Sequence, residues 1–253
     1  MTMNIYLIAI AVLPVIILAI AVYRQDKYEK EPIGKLIKAF IFGALSILPA
    51  ALLESFLVMF TPNIPVVSGV YTGYVVAGAS EELCKLLLLT LAIWRSKEFD
   101  EYLDGIVYSC FVALGFACFE NLSYVFGQAS FTDAMVTGSV RAVLSVPGHF
   151  LFGVMMGYYF ALAKFNPERR GKYFLLAFVV PMLLHGTFDS LLMIPESMEM
   201  GSETVAVVLF IILIWFDIKM WKWGTRRVNH LQDLTKQQNC DRAHPFKGFK
   251  WDF

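Results

Sequence analysis

Seven stretches of this 253-residue chain are each apolar enough to cross a bilayer: near 4–23, 37–60, 73–94, 103–127, 139–163, 173–194 and 203–223. A hydrocarbon core of about 30 Å takes roughly 20 apolar residues as helix. Lipid offers no partner to an unpaired backbone group, and the stretches lack the alternation of barrel strands, so all seven are expected to be helices. The fold class expected is therefore an all-α, polytopic membrane bundle of about seven helices, at the cell membrane. Residues 1–223 read as a single membrane domain, and 224–253 as a basic, aromatic cytoplasmic tail.

The basic residues fix the orientation. Of the 21 Lys and Arg, 19 fall on alternate connections: the segment after the first span, Arg95 and Lys97, the run from Lys164 to Lys172, and the tail. The opposite connections, near 61–72, 128–138 and 195–202, hold none. By the positive-inside rule the N-terminus is outside and the C-terminus inside. The first span is preceded by no Lys or Arg and followed by Arg24, Lys27 and Lys30, the reverse of a signal peptide's charge order. Formal charge is zero, so no nucleic-acid partner is expected. Cys84, Cys110, Cys118 and Cys240 have neither zinc-finger spacing nor the density of a disulfide framework.

Ionisable residues inside the spans mark the chemistry, because charge in the hydrocarbon region is costly and normally faces a partner or a cavity. At about 1.5 Å per residue, Glu81 and Glu82 lie roughly 12–14 Å below the outer face, and His185 about 14 Å. His149 falls about 15 Å deep, Glu120 about 10 Å, Glu54 about 9 Å and Asp189 about 8 Å. Five helices running in both directions place these groups at one level. A single water-accessible polar site accounts for that, whereas scattered structural pairs do not.

Helical spacing groups them further. Lys85 stands four residues after Glu81 and three after Glu82, beside both carboxylates. His185 and Asp189 are four apart, as are Arg141, Ser145 and His149 in a row. Phe116 and Glu120 share a face, with Asn121 next. Each group has a plainer reading: Glu-Glu-x-x-Lys as a structural ion pair, His185–Asp189 as an interhelical bridge, Arg141 as a neutralising charge, Glu54 as helix packing, and the cysteines as apolar filler. Pro181 is expected to free the carbonyl of Ala177, and Gly153 with Gly157 to let the fifth span approach a neighbour.

The sequence resembles the PrsW family of intramembrane proteases, distantly related to the CAAX-prenyl-protease group of membrane glutamic proteases. Glu81-Glu82-Leu83-Cys84-Lys85 is similar to the family's EExxK, Phe116 through Glu120 with Asn121 to FxxxE(N), and His185 through Asp189 to HxxxD. Asp26 through Pro32 looks like its acidic, proline-ended loop. The resemblance implies an endopeptidase that cuts a membrane-anchored substrate, of the anti-sigma-factor kind, in a first cleavage on the extracytoplasmic side.

The expected reaction is peptide hydrolysis by a glutamate-activated water, with Glu81 or Glu82 as base and Lys85 tuning it. His149 holds the water, or His185 and Asp189 polarise the carbonyl, and Glu120 protonates the leaving amine. Phe116, Asn121 and Arg141 support the site. No cofactor and no metal ligand are assigned; the partners are a membrane-anchored substrate and the bilayer. One alternative is a zinc metalloprotease using histidines and carboxylates, although His-Glu-x-x-His is absent and no two histidines lie four apart on a helix. The other is a non-enzymatic proton- or ion-coupled carrier or scaffold.

Overall fold

The computed structural model describes residues 2–198 and 203–243. Among these there is no strand, and the chain is a bundle of nine α-helices: α1 Thr2–Gln25, α2 Ile33–Leu57, α3 Pro65–Tyr71, α4 Ser80–Ile93, α5 Asp104–Phe126, α6 Phe131–Val143, α7 Ser145–Phe165, α8 Arg170–Ser197 and α9 Glu203–Ala243. Six stretches within it are long and apolar enough to span a membrane. The seventh expected span, 73–94, falls on a continuous helical run from residue 65 to 93. That run is not among the six, since Glu81, Glu82 and Lys85 interrupt its apolar sequence. Large apolar side chains such as Ile17, Leu48, Leu91, Val143 and Ile211 point outward, as a lipid-facing surface requires. The chain is a multi-pass integral membrane protein.

Helix α5 is the axis, packed against α1, α2 and α7, with α8 on the far side of α7. Glycines set the closest approaches. A Cβ on Gly157 would stand 2.6 Å from the Cα of Ile106, and one on Gly153 would stand 2.8 Å from the Cβ of Ala113. The expected close contact of the fifth span is thus made, against α5. A second glycine contact brings α8 to the run before α4: a Cβ on Gly73 would meet the backbone N of Ser190 at 2.6 Å.

Three local features depart from a plain helix reading. Between α3 and α4, Thr72–Ala79 forms a π-helix of eight residues. Such turns are rare and recur at functional sites, and this one leads directly into Glu81 and Glu82. The expected fifth span, 139–163, is divided at Leu144. Pro147 explains this, since its ring clashes with the carbonyl of the residue four before it, Val143, where α6 ends. In the first turn of α7 its missing N–H costs nothing. The expected Arg141–Ser145–His149 row is therefore not one helix face, because Arg141 lies in the last turn of α6 and the other two lie in α7. Pro181, by contrast, is accommodated inside an unbroken α8.

Connections assigned to one side by charge meet one another. Lys164 Nζ donates to the Trp94 carbonyl (2.8 Å), and Gln238 Nε2 to the Asp100 carbonyl (2.8 Å). The segment expected as a separate tail begins inside α9, which runs through residue 224 without a break. There Thr235 Oγ1 accepts the Leu103 N–H (3.0 Å) and Asn239 donates to Glu101 (2.6 Å). The aromatic end, Phe246 to Phe253, lies outside the described residues.

Candidate active site

Glu81 and Glu82 occupy the first turn of α4. Both are buried, as is Lys85, which is only 1% exposed. Lys85 Nζ lies 3.0 Å from Glu81 Oε2 and 2.8 Å from Glu82 Oε1, the contacts that the three- and four-residue spacings predict. It also lies 3.1 Å from His149 Nδ1 and 3.9 Å from the centroid of the Phe116 ring. An ammonium buried this deeply requires such partners.

The imidazoles extend the network. His149 Nε2 is 2.7 Å from Glu120 Oε2. A lysine can only donate and a carboxylate accepts, so His149 takes the Nε2–H tautomer and accepts from Lys85 at Nδ1. Arg141 Nη2 reaches the same Glu120 oxygen at 2.8 Å, while its Nε donates to Asn121 Oδ1 at 3.0 Å. Asn121 in turn donates to the Ala11 carbonyl (2.9 Å), tying the group to α1. His185 Nδ1 lies 3.0 Å from Glu82 Oε1 and its Nε2 lies 3.1 Å from Asp189 Oδ2. The two imidazole centroids are 5.1 Å apart.

All ten candidate residues from the sequence thus belong to one constellation. Asn121 and Phe116 join it through their contacts with Arg141 and Lys85. Two contributors carried no signal of their own. Phe152 stacks on His185 with centroids 4.7 Å apart, and the Tyr124 ring lies 4.0 Å from the Arg141 guanidinium carbon. Phe152 is one turn from His149, and Tyr124 one turn from Glu120. That position has meaning only once the neighbouring helices are placed.

A cavity of about 550 Å³ opens beside the cluster. Glu81, Glu120, Arg141, His149, His185 and Asp189 line it, with Glu54 contributed by α2. Glu82 does not take part in the lining; it is fully buried, and its Oε2 has no hydrogen-bond partner among the described residues. One ligand-type atom from each of Glu81, Glu82, His149 and His185 lies within 4.8 Å of the others. Two carboxylates and two imidazoles so gathered can take up a proton, polarise a carbonyl or hold a cation.

A second polar cluster lies at the other end of α5. Glu31 accepts a hydrogen bond from the Tyr108 hydroxyl, and Asp104 Oδ2 caps the chain by accepting the N–H groups of Asp100 (3.0 Å) and Glu101 (2.6 Å). Burial pushes the Glu31 carboxyl up to about 7 and raises that of Asp26.

A family described as "PrsW family intramembrane metalloprotease" matches residues 31–216. Proteins named Protease PrsW are similar over most of their length. The one from Clostridioides difficile is 39% identical over 84% of this chain and 88% of its own. That from Geobacillus kaustophilus is 35% identical over 83% and 88%, and that from Bacillus subtilis 30% over 92% and 98%. No solved structure matches. With the three motifs brought together around one membrane cavity and the match covering most of the chain, the protein belongs to the PrsW family of intramembrane proteases.

Proposed function

We propose that the protein hydrolyses a peptide bond of a membrane-anchored substrate, of the anti-sigma-factor kind that the resemblance implies, near the extracytoplasmic face and with a glutamate-activated water. One observation carries this reading: buried carboxylates and imidazoles from α4, α7 and α8 converge within 4.8 Å of one another, and Glu81, His149 and His185 among them line a cavity.

The two glutamates divide the work. Glu81 lines the cavity and is the base; Glu82, out of the cavity and bonded to both Lys85 and His185, positions them. Lys85 holds Glu81 ionised until it takes the proton of the attacking water. A carboxylate faces each nitrogen of His185 and orients the ring, whose Nε2–H exchanges Asp189 for the developing oxyanion. Glu120 has both Arg141 and His149 on one oxygen, the arrangement of an ionised acceptor. Leaving-amine protonation therefore passes to Glu81, which returns the proton it has taken, and Glu120 orients His149.

A metal-assisted form of the same hydrolysis is a second reading, favoured by the donor set. Two imidazoles with carboxylates are ligands that catalytic zinc takes, and the orphaned Glu82 Oε2 leaves a buried acceptor unsatisfied. The residues fit such an ion: His149, His185 and one glutamate would hold it once the Lys85 ammonium withdrew. Bound there, it would supply Lewis acidity and a more acidic water. The other glutamate keeps the role of base in either form.

The test is cleavage of a single-span membrane substrate by the purified protein, with fragment mapping. Glu81→Gln is expected to reduce the rate by about 10²- to 10⁴-fold. A Glu81/Glu82 double alanine variant of normal abundance that still cuts would eliminate the mechanism. Stoichiometric metal together with chelator inhibition selects the metal-assisted form; their joint absence selects the metal-free one.

A further inference from the structure

Three of the acids on the cavity wall are answered within the chain: Glu81 by Lys85, Glu120 by Arg141 and His149, and Asp189 by His185. Glu54 is not. It stands half-buried in the last turn of α2, on the cavity wall, and the mechanism above makes no use of it. No hydrogen bond or ion pair reaches its carboxylate among the described residues. Glu196 of α8, also on the wall, is likewise without a side-chain partner there. Arg141 is the one Lys or Arg among the lining residues, and it is already committed to Glu120.

We propose that Glu54 is a specificity-determining residue that binds a lysine or arginine side chain of the substrate close to the scissile bond. This rests on the hydrolytic reading of the same cavity. A carboxylate withdrawn from bulk water without a partner is unfavourable, and a cationic side chain entering with the substrate offsets that cost. The chain itself cannot provide the cation from the outer side, because 61–72, 128–138 and 195–202 contain neither Lys nor Arg. The catalytic groups come from α4, α7 and α8, whereas Glu54 comes from α2, so recognition and chemistry reside on separate elements. Most single-span proteins carry few basic residues just outside the membrane. A requirement for one there would separate substrate from bystander.

The experiment compares single-span substrates that differ at one position beside the cut: Lys, Arg, Gln or Glu. Wild-type protein is expected to favour Lys and Arg over Gln by about tenfold in kcat/KM, mainly through KM. Glu54→Gln is expected to bring that ratio to about one, Glu54→Asp to retain its direction, and Glu54→Lys to invert it in favour of Glu. The substrate comparison in wild-type protein needs no variant: equal cleavage of the Lys and Gln substrates overturns the proposal while leaving the hydrolytic reading intact. An undiminished ratio in Glu54→Gln also overturns it. If wild type cuts none of the four, the hydrolytic reading falls and this inference falls with it.

Discussion

At its outer end α5 presents Phe116, Glu120 and Asn121 to a cluster holding two cations, Lys85 and Arg141, in direct contact with carboxylates. At its inner end it presents Asp104 and Tyr108 to Asp26, Glu31 and Glu101, and no ion pair reaches these carboxylates among the described residues. Both clusters are buried, yet their electrostatics differ. In the outer one, cations stand among the carboxylates and a cavity opens beside them, the arrangement that the proposed base uses. At the inner end the carboxyls are buried without a cation paired to them among the described residues, and burial, more than any neighbour, raises Glu31. Its hydrogen bonds join three connections, from the α1–α2 and α4–α5 loops to the end of α9. On the proposed reading, one cluster reacts and the other holds.

The largest expected effect separates the two directly. Lys85→Met removes the cation shared by Glu81, Glu82 and His149, and should lower the cleavage rate by about two orders of magnitude or more. It should also destabilise the bundle by about 3–5 kcal/mol, since two carboxylates are left buried without their partner. Cleavage within tenfold of wild type in a folded Lys85→Met protein would break the comparison. Tyr108→Phe, at the other end, should cost about 1–3 kcal/mol of stability through the lost donor to Glu31, with kcat unchanged. Thermal unfolding and turnover measured on one preparation check both halves of that statement.

The pH dependence sharpens the contrast. The folded-state value of Glu31 is raised from 4.5 to about 7, so the folded protein binds this proton more tightly than the unfolded chain does. That contribution is fully present below about 4.5 and is lost as pH rises through about 7. Glu31→Gln keeps the site neutral throughout. Its unfolding temperature should match wild type near pH 4.5 and exceed it by a few degrees at pH 8; parallel curves would refute the assignment. The smallest effect is expected from Thr235→Val, which removes the acceptor for the Leu103 N–H. It should cost about 1 kcal/mol, read as earlier proteolysis of α9 with little change in turnover.

Much of this was legible in the chain. Glu81, Glu82 and Lys85 meet because helical spacing alone brings them together. The shared depth of Glu120, His149, His185 and Asp189 followed from counting residues against the bilayer. The π-helical turn before Glu81 was not legible, because no residue type specifies it. Nor was the division at Leu144, although Pro147 marked the place. The partners of Glu120 could not be read either: nothing along the chain puts Arg141 and His149 on one of its oxygens. Phe152 and Tyr124 gave no signal, since an aromatic residue in a membrane helix is commonplace until a ring or a guanidinium is found against it.

By itself the sequence determined the helical membrane class, the side on which each connection falls by the charge rule, and the level at which the polar groups gather. These follow from hydropathy and charge, which act along one dimension and answer to the bilayer rather than to neighbouring helices. Tertiary structure decided which groups touch, that Glu81 and not Glu82 borders the cavity, and that Glu54 stands there unanswered. Those outcomes depend on how each helix is rotated and how closely it approaches the next. Contacts between residues far apart in the chain, such as Gly157 on Ile106 and Gly73 on Ser190, set that geometry, and no local pattern encodes it.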